Sequence, residues 1–195
     1  MRQITIWYRK PYSWFLMLLC FGSGSPAMAQ SAATDSLELL LQSPVDTIRQ
    51  DALLHLGQKL RHTTPERSME LLETCFAESE VLGLYNRQQK AATSMGISYG
   101  MRGDFTTAVQ QFNRALEIAI AIGNKVGEAS NYTNIGIVYK SLGDYPTSLE
   151  YYTKAMQVNH ETKDSSGLAS CYSNLGILYD LLGDVEQSMH YYEQS

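Results

Sequence analysis

Four histidines (His55, His62, His160 and His190) and three cysteines (Cys20, Cys75 and Cys171) are the side chains of this sequence best suited to metal binding or nucleophilic attack. Zinc sites pair such ligands at short, fixed spacings. No histidine here has a second histidine or a cysteine three or four residues away. Cys75 falls at a small, core-type position, and Cys171 follows it five helices later in the pattern described below. At about 8–10 Å per packed helix the two thiols stand roughly 40 Å apart, far beyond the reach of a disulfide. The serines, aspartates and histidines are read as standing outside any catalytic frame, and the glycines recur too regularly for a phosphate loop. No enzymatic activity, metal or organic cofactor is expected. Binding is the expected role.

The glycines point to the elements that must present a binding surface. Gly96, Gly136 and Gly176 are in step, forty residues apart, as are Tyr99, Tyr139 and Tyr179, then Gly103, Gly143 and Gly183, then Asp104, Asp144 and Asp184. A fixed period of this size marks a repeat array, in which each unit buries its apolar face only against its neighbours. In the third unit Tyr132, Ile135, Gly136 and Tyr139 follow the i, i+3, i+4, i+7 spacing of one helical face. Gly143 then offers a left-handed residue and Asp144 an N-cap. A second helical pattern runs through Ser148, Tyr151, Tyr152 and Ala155, with Pro146 tolerated in its first turn. Small residues at Gly136, Ser148 and Ala155 permit close approach of the two helices, and Tyr132, Tyr139 and Tyr152 fill the space around them. Gly136→Leu is therefore expected to overpack the pair, and Gly136→Ala to cost far less. Tyr99, Tyr139 and Tyr179 are read as core rather than as a platform for bases or sugars.

These residues resemble the tetratricopeptide repeat family, whose unit reads aromatic-x-x-Leu-Gly-x-x-Tyr and then Ala, aromatic, Ala and Pro. Tyr132, Ile135, Gly136 and Tyr139 match the first helix, and Ser148, Tyr152 and Ala155 the second. The resemblance covers roughly residues 50 to 195. The closing Pro is absent, with Ile120 and His160 in its place, and the period exceeds the usual 34 or so residues. Six extra residues add up to about 9 Å of helix, so a long-helix variant is expected. The resemblance implies an all-α fold: a right-handed superhelical solenoid of antiparallel helix pairs, with units at about 44–83, 84–123, 124–164 and 165–195. Ser43, Pro44 and Asp46 mark the start of the first, degenerate unit. The last is read as incomplete.

In such arrays the first helix of each pair lines a concave groove. Two residues before the helix glycine stand Ser94, Asn134 and Asn174, and related peptide-binding arrays use an amide there to hold the backbone of an extended ligand. An amide suits that task because it offers a donor and an acceptor together. Ile97, Ile137 and Ile177, one residue past the glycine, form an apolar rail, and Thr133 and Ser173 keep the neighbouring positions small. The resemblance thus implies a protein or extended-peptide partner. The alternative is that Asn134 and Asn174 only bond neighbouring helices. The family's carboxylate-gripping cations are unfilled apart from Lys90, so a groove with few fixed charges is expected.

The first 29 residues have a different character. Arg2, Arg9 and Lys10 precede an apolar run from Trp14 to Phe21, and Ala27-Met28-Ala29 stands before Gln30. That order is that of a secretory signal peptide; an uncleaved anchor helix is the alternative. Residues 30–43 are a polar lead-in. The chain carries a net charge of −5, and cleavage removes three cations and no carboxylate. An acidic chain without a basic cluster is not expected to bind nucleic acid. The layout is similar to the N-terminal sensor regions of bacterial signalling proteins, notably of the Bacteroidetes type, which continue into a membrane helix and a kinase, cyclase or DNA-binding domain. It implies an exported, periplasmic input domain, touching a membrane only through a downstream segment. A free-standing periplasmic adaptor and the N-terminal part of a histidine kinase or cyclase are the other readings.

Overall fold

The computed structural model describes residues 34–195. The expected signal peptide and Cys20 lie outside them. Among the described residues the regular structure is helical throughout. A short helix, α1, covers residues 34–40. Eight longer ones follow: α2 (Asp46–Leu60), α3 (Pro65–Val81), α4 (Tyr85–Met101), α5 (Phe105–Ala121), α6 (Lys125–Ser141), α7 (Tyr145–Thr162), α8 (Ser165–Leu182) and α9 (Val185–Gln194). They form four antiparallel pairs stacked into a solenoid.

One two-residue device sets both ends of most helices. Gly143 takes a φ of 78°, which costs a glycine little, and lets the Asp144 N–H donate back to the Tyr139 carbonyl at 2.9 Å. The Asp144 carboxylate then accepts from the Thr147 N–H at 3.1 Å and caps the next helix. Gly103-Asp104 and Gly183-Asp184 repeat the arrangement. The junctions before α3 and α4 lack the side-chain cap, and before α8 Lys163 adopts the left-handed conformation, φ 57°, where the other junctions between described pairs have glycine. The start of α2 also differs from expectation. Ser43 accepts from the Val45 N–H at 3.2 Å, so the helix starts two residues later than expected and Val45, without a side-chain cap, precedes it.

Within each pair a glycine of the first helix faces a large side chain of the second: Gly57 faces Leu72, Gly96 faces Phe112, Gly136 faces Tyr152 and Gly176 faces Tyr192. In the third unit Ser148 Oγ donates to the Gly136 carbonyl at 2.8 Å, and Ser68 does the same to Gly57 in the first. The periodic tyrosines are half-buried rather than fully enclosed. Tyr139 stacks on Tyr151 with ring centroids 5.7 Å apart, and Tyr179 on Tyr191 at 5.4 Å. The fully buried ring is Tyr152.

Contacts between units give the stack its curvature. Each helix packs on the next in sequence, and the first helices also touch one another, α2 with α4, α4 with α6 and α6 with α8. Among the described residues the second helices of successive pairs make no such contact. Elements that meet lie at the smaller radius, so α2, α4, α6 and α8 form the concave side.

Candidate peptide-binding groove

The concave side holds two cavities in line. One, of about 870 Å³, lies over α2, α4 and the start of α6, and the other, of about 370 Å³, over α6 and α8. Val126 and Ser130 border both, so they form one continuous groove. The helix register explains the lining. Positions six, three and two residues before the helix glycine, and one after it, recur on a single face. In α4 these are Lys90, Thr93, Ser94 and Ile97, all of which border the first cavity.

The second cavity gathers Thr133, Asn134, Ile137 and Asn174. Asn134 is half-buried and makes no hydrogen bond to the described chain. Ile137 beside it is 37 % exposed. Asn174 donates to the Ser170 carbonyl of its own helix at 2.9 Å, which leaves its side-chain oxygen without a donor among the described residues. Thr133 is half-buried and donates to the Ala129 carbonyl. Ile177 is 40 % exposed but outside both cavities, as is Ser173, whose hydroxyl pairs with that of Ser195 at 2.6 Å. In the first cavity Ser94 is buried and accepts from Gln58 Nε2 at 2.9 Å. Its hydroxyl is therefore engaged by a neighbouring helix.

Sequence reasoning missed the asparagine that joins neighbouring helices. It is Asn131, fully buried, which donates to the Gly127 carbonyl at 2.8 Å and accepts from Thr93 Oγ1 of α4 at 2.9 Å. Gln89 and Asn124 extend this link between units. The signal was its place three residues before Asn134, at a position occupied by Ala91 and Cys171 in the flanking units, where a polar side chain must be enclosed and paired. Also missed was Gly96-Ile97-Ser98-Tyr99-Gly100, which has the glycine-x-serine-x-glycine spacing of a nucleophile elbow. That motif requires a sharp strand-to-helix turn. Ser98 sits buried inside α4, donating to the Ser94 carbonyl at 3.0 Å, and is a helix-packing residue.

The expectation of few fixed charges fails at the N-terminal end of the groove. Arg61, Arg87, Lys90, His55 and Asp51 all border the first cavity. Arg87 grips both Asp51 oxygens, at 2.7 and 2.9 Å. This hydrogen bonding, opposed by burial and aided by the charges of Arg87 and Lys90 nearby, holds the Asp51 carboxyl below the usual carboxylate range. Arg61 donates through Nε to Ser98 Oγ at 3.2 Å, and burial pulls its pKa down. Neither Arg61 nor Lys90 forms a salt bridge among the described residues. Asp51, His55 and Arg61 belong to the degenerate first unit and Arg87 lies outside the register read from the sequence; Lys90 is the cation that the sequence did show.

Nothing gathered in the groove resembles a metal site; among the described residues no cluster of three His, Cys, Asp or Glu side chains could hold an ion. Both described cysteines are free and buried. Desolvation raises the Cys75 thiol to about 11 and shifts Cys171 upward too, which makes both poor nucleophiles.

The profile of the tetratricopeptide repeat matches residues 87–158 and 127–195, more than half of the chain. The chain belongs to the tetratricopeptide repeat family. No curated protein sequence matches it. Among solved structures, BtubC from P. vanneervenii superposes with a TM-score of 0.70 at 18% identity, over 86% of this chain and 69% of that one. A Rap protein complexed with competence and sporulation factor gives 0.75 at 18% identity, over 86% of this chain and 48% of its own. MamA gives 0.56 at 20% identity, over 86% and 87%. At such identities these likenesses bear on the tetratricopeptide solenoid fold alone.

Proposed function

We propose that this chain is an exported protein-interaction scaffold that holds an extended segment of another protein in its concave groove. The observation that carries the reading is Asn134: an amide on the groove wall without a hydrogen bond to the described chain, beside the half-exposed Ile137. An extended backbone offers the N–H and C=O groups that such an amide pairs with. A Rap protein of similar fold has been solved with competence and sporulation factor bound, which accords with a binding role for the fold. The N-terminal basic, apolar and Ala-x-Ala order supports export, and the layout supports an extracytoplasmic input domain of a bacterial signalling protein.

The test is capture of the native partner by the purified chain, followed by N134A/N174A. Loss of two ligand hydrogen bonds at about 0.5–1.5 kcal/mol each predicts a roughly tenfold to hundredfold loss of affinity with Tm unchanged. Undiminished binding by the folded variant overturns the groove reading. Mass spectrometry of the exported chain should find an N-terminus at Gln30; an intact Met1 in the cytoplasm overturns export.

A further inference from the structure

We infer that the N-terminal end of the groove recognises an acidic stretch of the bound polypeptide, with Arg61 and Lys90 as its separate anchors. This rests on the groove reading above and adds the chemistry of the partner. The first cavity carries three fixed cations and one carboxylate. Asp51 has both oxygens on Arg87; it acts on Lys90 only through space and forms no ion pair with Arg61. Arg61 is the sharper case. It is partly withdrawn from water, enough to depress its pKa, yet its described hydrogen-bond partner is a neutral serine. A cation held this way gains most from an incoming anion, because the desolvation is already in place and the pairing is made in a shielded site.

The placement argues for more than one ligand carboxylate. Arg61 is tied to Ser98, and Lys90 lies eight residues earlier on α4, about 12 Å at 1.5 Å per residue. The two anchors thus arise from helix positions about two turns apart. An extended segment advances about 3.3 Å per residue, so acidic side chains a few residues apart meet both. Farther along, the groove holds no cation: it is amide-rich at Asn134 and Asn174, and the carboxylate of Asp164 borders it there. The positive charge is therefore confined to one end. That pattern orients a peptide; a nucleic acid, with a charge on every residue, would be repelled by the rest of an acidic chain whose net charge is −5.

The test uses the purified chain and fluorescein-labelled peptides of about ten residues, long enough to span some 33 Å when extended. One has a Glu-Ala repeat, a second Gln-Ala and a third Lys-Ala; the Glu peptide is made with a free and with an amidated C-terminus. The Glu peptide should bind at least about tenfold more tightly than the Gln peptide at low salt, and lose that advantage as salt screens it. R61Q/K90Q should abolish the difference while Tm holds, and amidation should change nothing. Equal binding of the Glu and Gln peptides, or of the Glu peptide to R61Q/K90Q and to the parent chain, overturns the proposal. So does loss of binding on amidation, which would assign the site to a chain terminus, or tighter binding of an oligothymidylate than of the Glu peptide. The two readings fail differently. A native partner sensitive to N134A/N174A and indifferent to R61Q/K90Q removes the acidic anchor alone. A partner indifferent to both removes the groove.

Discussion

A Cβ on Gly136 would stand 2.7 Å from both Cδ1 and Cε1 of Tyr152, a ring that is itself fully buried. The contact explains why this position in the repeat is a glycine: the first carbon of any side chain already meets the ring. Gly136→Ala should therefore lower stability by up to about 2 kcal/mol, an overpacking cost of about 1–3 kcal/mol offset by about 1 kcal/mol of helix propensity. This is less tolerant than the sequence suggests. Gly136→Leu should cost more still. Gly100 is the control. Its Cβ would be 3.8 Å from that of Ala108, an ordinary contact, so Gly100→Ala should raise Tm. Thermal unfolding of the three variants decides it, and equal effects of G136A and G100A would contradict the packing argument.

Asn131 and Asn134 should separate structure from binding. Asn131→Ala leaves Thr93 and the Gly127 carbonyl without their buried partner and should cost about 1–3 kcal/mol. Asn134→Ala removes no described intramolecular bond and should leave denaturant midpoints unchanged. A sharp fall for Asn134→Ala would mean that its amide is a structural group.

Lys163 occupies a left-handed conformation, φ 57°, that costs an L-residue about 1–2 kcal/mol. Glycine relieves that cost but loses part of the gain to its greater freedom when unfolded. Lys163→Gly should stabilise the chain by roughly 0.5–1 kcal/mol, read as a higher urea midpoint with an unchanged slope.

The Asp51–Arg87 pair gives a pH signature. The folded carboxyl titrates below its ordinary range, so its contribution is complete above the unfolded pKa of about 3.9 and disappears as pH falls through the lower folded value. The pair is partly exposed, which limits its worth to at most about 1 kcal/mol. D51N should be slightly less stable than the parent at neutral pH, and the gap should close in acid. A gap that persists at the acid limit would assign the loss to packing.

Much of the fold was legible in the sequence because the repeat writes local instructions. Gly143-Asp144 fixes a helix end and a helix start through backbone conformation and one side-chain bond, and neither needs a distant partner. The 3.6-residue periodicity through Tyr132, Ile135, Gly136 and Tyr139 likewise reports which face is covered. Helix pairs, their order and the concave register of Asn134 and Ile137 followed from such signals and from the family resemblance.

What the sequence alone determined is thus the repeat, its helices, and the residue types that recur on each face. The tertiary structure decided which of those residues are available. Ser94 shares a register with Asn134, yet a neighbouring helix supplies Gln58 to occupy it. Ser173 likewise follows Thr133 in register and turns to Ser195. Asn131, outside the expected ladder, carries the bond between units. The cationic end of the groove arises because α2, whose sequence departs from the repeat, brings Arg61 beside α4 while Arg87 takes Asp51 out of play. These are matters of partner identity between residues some twenty to forty positions apart in the chain. Periodicity reports which face a residue occupies; only packing of the neighbouring helices settles whether its polar atoms are already paired.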